Sequence, residues 1–357
     1  MAAVSSLGSV AVFEPRAVKH SRDFLGRVVL AGQMFSGLTP PKLPLALEPF
    51  SDVSWFQSAS ALPALKSLLP FPILLAIAWP LWWYFRNTWK QLDQEARETS
   101  LARAARGETD YRPAVCLVLS SAILTVQEYY GGRGFYDAVL KPEMVSWELA
   151  GAGWLKMKAF DNLYAYAWWS AARVLGYVLV PILFWKLLFR DDELLDYGLR
   201  VKGFFKHIWI YLGLLAFIVP VMLVVAQQPD FGSYYPFYKL SSRSWFDFLA
   251  WELMYYAQFF ALEFFFRGWM VGALRGSLGA SAIFVMAVPY CMIHYGKPYL
   301  EAHGAIVAGV VLGTLAMKTR SVYAGFLVHI AVAAGMDFLS LYKRGALPTV
   351  FWPAGGG

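Results

Sequence analysis

The sequence predicts an all-α protein, a polytopic membrane helix bundle of about eight transmembrane helices. Its composition suits a lipid environment, because 58% of the 357 residues are hydrophobic and only 15% are charged, outside the usual range of soluble domains. Apolar runs that could cross a bilayer recur from residue 67 onward. The basic residues lie in short connections between these runs, so the net charge of +7 indicates orientation in a lipid bilayer and predicts no nucleic-acid partner.

The elements follow from apolar continuity along the chain. Residues 1–66 contain no apolar run long enough to span a bilayer, and we predict a non-spanning N-terminal arm without a cleavable signal peptide. The rest divides into N-terminal transmembrane helices (67–244), a second helical region (245–342) and a C-terminal tail (343–357). Apolar runs of about 15 to 29 residues predict helices at 67–85, 113–130, 163–189, 205–226, 246–274, 279–295, 303–317 and 321–342.

The basic residues predict how these helices are oriented. Six Lys or Arg side chains lie in the 86–112 connection and four in the 190–206 connection, whereas the longer 131–160 connection holds only four. Because positively charged connections remain on the cytoplasmic side, 86–112 and 190–206 are predicted to be cytoplasmic. We therefore expect an integral, multi-pass membrane protein, located in the inner or cell membrane if the protein is bacterial.

Five ionisable residues lie inside the apolar segments of the last third of the chain. They are Glu263, Arg267, His294, His329 and Asp337, and each is costly to desolvate unless it is paired, hydrated or liganded. Glu263 and Arg267 are spaced i, i+4 and share a helix face. At about 1.5 Å per residue, Glu263 and His294 lie roughly 20 Å from the same membrane face. We expect the side chains of Glu263, His294 and His329 to lie within about 10 Å of one another around a polar cavity.

A polar stripe extends along the helix that carries Glu263. Glu252 and Tyr256 precede Glu263 by 11 and 7 residues, and both steps return to within about 20° of the same helix face. The charge of Arg267 needs a partner in this apolar segment. We therefore expect Arg267 to approach Glu252 or Glu263.

Three motifs in this region resemble those of a known family. They are Leu262-Glu263-x-x-x-Arg267-Gly268, then Tyr290-x-x-x-His294, then His329 followed by Asp337. The set resembles the Glu-Glu-x-x-x-Arg, Phe-x-x-x-His and His-x-x-x-Asn signature of the CAAX prenyl protease and bacteriocin-processing family (CPBP, or Abi) of intramembrane proteases. The resemblance covers about residues 245–342 and identifies this region as catalytic-type helices of an all-α bundle. It implies an endopeptidase that cleaves a membrane-associated or lipid-modified peptide.

The resemblance also implies a role for individual residues. The implied catalytic residues are Glu263, His294, His329 and Arg267. We predict that substrate is bound by Tyr290 and Asp337 of the motif regions and by Glu252 and Tyr256 of the polar stripe. The chain departs from the family pattern at three positions. Leu262 occupies the place of the first Glu, which usually activates water, and Tyr290 replaces Phe. Ala333 stands where the family has an Asn that helps to polarise the scissile carbonyl.

Peptide hydrolysis needs a group that deprotonates water and a donor for the developing oxyanion. Glu263, opposed by Arg267, is the remaining candidate for the first task, and His294 could orient or share that water. His329 could donate to the oxyanion, or it could complete a metal set with Glu263 and His294, the two-histidine, one-carboxylate arrangement of zinc hydrolases. The spacing leaves both options open. The sequence has no His-Glu-x-x-His helix and no Gly-x-Ser-x-Gly turn, which argues against the standard zincin and serine-hydrolase classes.

Other roles are compatible with the same residues. Glu263 and Arg267 could form a purely structural pair, and His294 and His329 could each hydrogen-bond to a neighbouring helix. A catalytically weakened relative could serve as a membrane binding or immunity scaffold, as the Leu262 departure suggests. A transporter would use buried charges as an ion or proton relay, but the sequence shows no paired broken helices or internal repeat. Small residues four apart predict a close helix-packing face at Ala305, Gly309 and Gly313.

The orientation is tested by cysteine labelling in intact cells. With Cys116 and Cys291 replaced, single cysteines at positions 97 and 200 should react with a membrane-impermeant reagent only after the cells are permeabilised, because both predicted connections are cytoplasmic. Labelling of either position from outside the intact cell would contradict the predicted topology.

Overall fold

The computed structural model describes residues 68, 70–227, 231–295 and 299–353. The predicted N-terminal arm, 1–66, lies outside these residues. Within them the chain is helical and contains no β-strand, so the all-α prediction is confirmed. The longer helices, numbered here in chain order, are α1 Pro70–Ala105, α2 Arg112–Tyr130, α3 Arg133–Leu149, α4 Met157–Leu188, α5 Val201–Val225, α6 at 245–278, α7 Ser281–Met292, α8 Tyr299–Thr319 and α9 Tyr323–Lys343.

The predicted number of eight transmembrane helices is not confirmed. By length and composition, four helices in the described part of the chain could cross a membrane, namely α4, α5, α8 and α9. The pair α2 and α3, bent by 54° at its break, brings the number to five if it forms one broken span. Helix α7 has only 12 residues, and α6 carries five charged side chains. By length and composition, the described residues therefore support four or five spans, and the predicted number of eight stays a prediction.

Two predicted connections contain helix. Helix α1 continues through the basic segment as far as Ala105, and α3 lies within the predicted 131–160 connection. The added part of α1 is polar but rich in residues with good helix propensity, such as Gln, Glu, Arg and Ala, and α3 contains Arg, Ala, Leu and Glu. Counting apolar residues finds the parts of helices that face lipid, so it missed helical segments that face water or other helices.

Helix α6 is the centre of the bundle. Its first half packs against α4 and α9, and its second half packs against α1, α2, α7 and α8. The side chains of Phe264, Phe265, Phe266 and Trp269 are each no more than 1% exposed. A helix that is apolar on all sides must be surrounded by other elements, and this sequence of aromatic residues satisfies that requirement. Residues Phe264–Met270 of α6 adopt the wider π-helical conformation.

Both the N-terminal end of α6 and the tail of the chain are fixed by specific contacts. The Ser244 hydroxyl accepts a hydrogen bond from the backbone N–H of Asp247, an N-cap that satisfies one free donor of the first turn. The tail turns back onto this end, where the carbonyls of Val350 and Phe351 accept from the backbone of residues 245 and 246. Trp352 packs on Phe246, with ring centroids 4.3 Å apart. Part of the predicted tail is therefore packed against the core.

Helices α7 and α8 approach each other closely, as the small-residue face predicts. A Cβ atom added at Gly309 would lie 3.2 Å from both the Ala287 Cβ and the Tyr290 Cδ1, and one added at Gly313 would lie 2.8 Å from the Met286 Cε. Larger residues at these two positions would push α8 away from α7. Gly309 therefore lets α8 lie directly against Tyr290, whose ring contacts the buried Arg267 of α6.

The connection between α4 and α5 is held to the bundle by Asp192. Its carboxylate accepts hydrogen bonds from Arg112 Nε at 2.9 Å and Trp185 Nε1 at 3.0 Å, and from the Tyr197 hydroxyl. Burial alone would raise the pKa of Asp192, but the hydrogen bonds from Arg112 and Tyr197 outweigh burial and lower it. The folded state thus favours the ionised carboxylate.

We predict that Asp192→Asn destabilises the protein by about 1–3 kcal/mol at neutral pH, because it removes a charged acceptor from three donors. Since the pKa of Asp192 is lowered on folding, its stabilisation is present above the unfolded value of about 3.9 and is lost as the pH falls below it. Thermal unfolding in detergent should show a difference between variant and wild type that decreases below about pH 4.

The matched control is Asp191→Asn, which makes the same change at the neighbouring exposed residue and should leave the unfolding temperature unchanged. Equal effects of the two substitutions would contradict the role assigned to Asp192.

Candidate active site

Glu263 is one of the completely buried acidic residues of the second helical region. It is 0% exposed and lies at the last α-helical residue before the π-helical segment of α6. Such π-helical segments within α-helices are frequent at functional sites. The carboxylate cannot be solvated in this position, so it depends on neighbouring charges and donors.

Two basic side chains contact the same oxygen of Glu263. Arg267 Nη1 lies 3.1 Å and His329 Nδ1 lies 2.9 Å from Glu263 Oε1. The predicted approach of Arg267 to Glu263 is therefore observed. Arg267 neutralises the negative charge of the Glu263 carboxylate. Its own side chain is also fully buried. His329 comes from α9, so this contact joins the two helices.

Gly325 provides the space for the Glu263 carboxylate. It lies one turn before His329 on α9, and a Cβ atom at this position would collide with Glu263 Oε2. The absence of a side chain lets the carboxylate lie against the backbone of α9. Gly325 and His329 together therefore form the surface that receives Glu263.

His329 connects this buried pair to a more accessible region. The Nδ1 atom of His329 lies 2.9 Å from Glu263 Oε1, so the carboxylate faces one ring nitrogen, and Nε2 lies on the other side of the ring. The side chain of His329 is 19% exposed, whereas that of Glu263 is 1% exposed. Phe259 stacks on the imidazole, with ring centroids 5.1 Å apart and an interplanar angle of 8°. The ring is therefore oriented by contacts on its edge and on one face.

Tyr290 lies on the opposite side of Arg267. The Arg267 guanidinium carbon is 3.7 Å from the centroid of the Tyr290 ring, a distance at which a cation–π interaction is favourable. A desolvated arginine is thereby contacted by both a carboxylate and an aromatic face. Tyr290 thus stabilises the buried ion pair, and its predicted role in substrate binding stays a prediction.

His294 does not occupy the helical position that the sequence predicts. Helix α7 ends at Met292, and His294 lies in the turn that follows. Gly296 and Pro298, which disfavour helix, come directly afterwards in the sequence. The His294 Nδ1 donates to the Tyr290 carbonyl at 2.8 Å, and the two rings are 4.7 Å apart. His294 thus joins the Glu263 group through Tyr290.

The residues predicted to hold a divalent metal do not fit that role as they are placed. In the described part of the chain, no group of three or more His, Cys, Asp or Glu side chains could hold a metal ion. Glu263 Oε1 is paired with Arg267, and the Nδ1 atoms of His329 and His294 have partners of their own. The prediction of a zinc set at Glu263, His294 and His329 is not supported by this arrangement.

A second polar group lies further along the contact between α6 and α9. Glu252 is 4% exposed and Asp337 is 0% exposed, and Asp337 Oδ2 accepts a hydrogen bond from Trp251 Nε1 at 2.7 Å. Tyr256 and Asp337 are the polar neighbours of the Glu252 carboxyl. The 11-residue step from Glu252 to Glu263 corresponds to about 16 Å along the helix, so these predicted substrate-binding residues are separate from the Glu263 group.

Comparison with protein families supports the resemblance that the motifs suggest. Residues 244–335 match the family model described as type II CAAX prenyl endopeptidase Rce1-like. This segment is CAAX-protease-like. It contains the predicted catalytic residues Glu263, Arg267, His294 and His329, while Asp337 lies just beyond it. No curated protein and no solved structure matches the chain.

In the CAAX-protease-like segment, two positions that are polar in the family pattern hold apolar residues. Leu262 is 8% exposed and packs in the main hydrophobic core. Ala333 is 5% exposed and packs with Trp251 and Tyr255 in an aromatic cluster. Both positions are therefore occupied by apolar packing residues, without the carboxylate or the amide that the family pattern has there. The remaining polar residues of the segment must therefore supply any hydrolytic chemistry.

Sequence reasoning missed Gly325 and Phe259 as residues that position the Glu263 group. The signal for Gly325 was its i, i+4 spacing from His329, which places a residue without a side chain directly beside the histidine on one helix face. Phe259 had no comparable signal, because aromatic residues occur throughout α6. Its role depends on how α6 and α9 pack together.

We predict that Gly325→Ala destabilises the protein by about 1–3 kcal/mol, because overpacking forces the Glu263 carboxylate away from α9. The matched control is Gly304→Ala on α8, where an added Cβ atom meets open space. Thermal unfolding in detergent measures both variants, and the control should be unchanged or slightly stabilised, since Ala favours helix. A stable Gly325→Ala variant would contradict the assigned close approach.

Proposed function

We propose that this protein is an intramembrane endopeptidase of the CAAX-protease type, in which His329 activates water and Glu263 positions His329. The observation that supports the proposal is the 2.9 Å contact between Glu263 Oε1 and His329 Nδ1, with the carboxylate buried and the imidazole partly exposed. The substrate would be a membrane-associated or lipid-modified peptide, as the similarity of residues 244–335 implies.

The geometry favours His329 over Glu263 as the group that deprotonates water. Glu263 has no exposed surface and is paired with Arg267, so water does not reach it and its charge is stabilised. His329 has an exposed side to its ring, and an imidazole is suited to accept a proton near neutral pH. Glu263 would hold the ring in the correct tautomer and stabilise the imidazolium when it forms.

The proposed reaction needs no group beyond water and the peptide. His329 Nε2 accepts a proton from water while the water oxygen bonds to the carbonyl carbon, and a tetrahedral intermediate forms. The carbon–nitrogen bond then breaks, and His329 returns the proton to the departing amine nitrogen. Arg267 keeps the Glu263 carboxylate ionised throughout this cycle. In its protonated form His294 could donate to the oxyanion, which gives it a role consistent with the family motif.

A second function, a membrane binding or immunity scaffold, is favoured by a separate observation. Leu262 and Ala333 pack as ordinary core residues, so the chain lacks two polar groups that the family pattern provides. In a scaffold, Glu263, Arg267 and His329 would serve only to join α6 and α9. The two functions differ in their response to the loss of His329, the proposed base. In a peptidase this loss abolishes peptide cleavage without unfolding the protein, whereas a scaffold has no such cleavage to lose.

We predict that His329→Ala and Glu263→Gln each lower peptide cleavage by about 10²-fold or more, because general-base catalysis contributes about that much. The double variant should be no worse than the poorer single variant, since residues that act as one unit are not additive. The measurement is the cleavage of a fluorogenic, lipid-modified peptide by the full-length protein in liposomes. The matched control, His303→Ala, removes an imidazole from α8 outside the Glu263 group and should retain full activity.

Thermal unfolding of each variant separates loss of catalysis from loss of folding. If the folded wild type cleaves no lipid-modified peptide, or if Glu263→Gln and His329→Ala retain full activity, the scaffold function replaces the peptidase. The membrane helix fold would be unaffected by that result.

A further inference from the structure

Glu252 and Asp337 form a buried pair of carboxyl groups where α6 contacts α9. Glu252 is 4% exposed and Asp337 is 0% exposed. The Asp337 carboxyl and the Tyr256 hydroxyl both lie within hydrogen-bonding reach of the Glu252 carboxyl. Neither oxygen of Glu252 accepts a hydrogen bond of ordinary geometry from the protein. Two acidic side chains therefore meet in a place that is almost closed to solvent.

Two carboxyl groups in contact cannot both be ionised at low cost in a buried site. Like charges repel strongly where the dielectric constant is low, and each ion also loses its hydration. Among the described residues, no Lys, Arg or His side chain forms an ion pair with Glu252. The state of lowest free energy holds one proton on the pair. This proton leaves a single negative charge and makes the contact a charge-assisted hydrogen bond.

The surroundings favour Asp337 as the ionised member of the pair. Trp251 Nε1 donates to Asp337 Oδ2 at 2.7 Å, and a donated hydrogen bond stabilises the charged form of a carboxyl group. The indole is held in place, because it stacks on Tyr255 with ring centroids 4.6 Å apart and meets Tyr166 edge to face at 4.8 Å. The proton of the pair is then carried by Glu252.

The other titratable groups that face the pair are engaged elsewhere. Tyr166 of α4 donates from its hydroxyl to a backbone carbonyl at 2.9 Å. Lys239, before α6, is exposed and donates to two backbone carbonyls at 2.6 and 2.9 Å. Both act on Asp337 through space. The Tyr256 hydroxyl is a neutral donor, which suits the second oxygen of Glu252.

We propose that Glu252 and Asp337 together bind one proton at neutral pH, which Glu252 carries and donates to Asp337. The Tyr256 hydroxyl donates to the other Glu252 oxygen, and Trp251 donates to the other Asp337 oxygen. All four carboxyl oxygens then have a hydrogen-bond partner. The proton is a ligand of the folded state that joins α6 to α9. This site does not depend on the proposed peptidase activity.

The shared proton makes the contact between α6 and α9 sensitive to alkaline pH. A glutamate in the unfolded chain releases its proton at about pH 4, whereas the folded protein keeps this one at neutral pH. Because the folded state then binds more protons than the unfolded state, stability falls as the pH rises. Loss of the proton leaves two like charges in contact, which drives the two helices apart.

The first test replaces the proton carrier by a neutral side chain of the same shape. In Glu252→Gln the amide can donate to Asp337 and accept from Tyr256, so the full-length variant in detergent should unfold at no lower temperature than wild type at neutral pH. Its advantage over wild type should grow between about pH 6 and about pH 9, because only the wild type can lose the proton. The matched control, Glu143→Gln, changes an exposed glutamate of α3 and should follow wild type at every pH.

Infrared spectroscopy detects the proton directly. At neutral pH the wild type should show the C=O stretching band of a protonated carboxyl group, which Glu252→Gln loses and Glu143→Gln retains. Asp337→Asn tests which member is ionised. Its amide accepts on one atom only, so one of the two donors, Trp251 or Glu252, loses its partner. This variant should unfold at a lower temperature than wild type.

The outcomes decide the proposal. Loss of the carboxyl band in Glu252→Gln, together with loss of the alkaline destabilisation, supports it. The proposal is overturned if the band persists in Glu252→Gln, or if Glu252→Gln and Glu143→Gln have the same pH profile. A Glu252→Gln variant that does not fold also overturns it, since the amide supplies the same hydrogen bonds. So does stabilisation of wild type, but not of Glu252→Gln, by Na⁺ or Ca²⁺, because the pair would then hold a metal cation in place of the proton.

Discussion

Burial of the Glu263 charge constrains the positions of three helices. A carboxylate with no exposed surface needs a counter-charge and close polar contacts, because an unpaired ion in this environment costs several kcal/mol. Arg267 supplies the charge from the same helix, His329 contacts the carboxylate from α9, and Tyr290 contacts the arginine from α7. Gly325 allows α9 to lie against the carboxylate. The relative positions of α6, α7 and α9 therefore depend on this one buried group.

Two polar groups lie at different positions along the contact between α6 and α9, with aromatic side chains packed between them. Glu263 meets His329 at one level, and Asp337 meets Trp251 at the other. Phe259 lies between them and stacks on His329. Because aromatic contacts restrain both rings and helices, the imidazole is held in one orientation. Such preorganisation is what a histidine needs in order to act as a base, although it would equally stabilise a scaffold.

The departures from the family pattern determine which chemistry is left. Leu262 fills core space where the family has the first carboxylate of its Glu-Glu pair, so Glu263 is the one glutamate of that pair in this chain, and its charge is committed to Arg267. A proton acceptor must then come from a residue that contacts Glu263 and also reaches a more open region. His329 meets both conditions.

The sequence alone determined the helical membrane class, the CAAX-protease-like segment and the Glu263–Arg267 pair. Each depends on composition or on spacing along one helix, which the chain carries without reference to its neighbours. It did not determine that His329 contacts Glu263 or that His294 lies beyond α7. It also failed to predict that α1 continues to Ala105. These depend on where helices end and which faces meet, and both are decided by packing between distant segments, so only the tertiary structure could establish them.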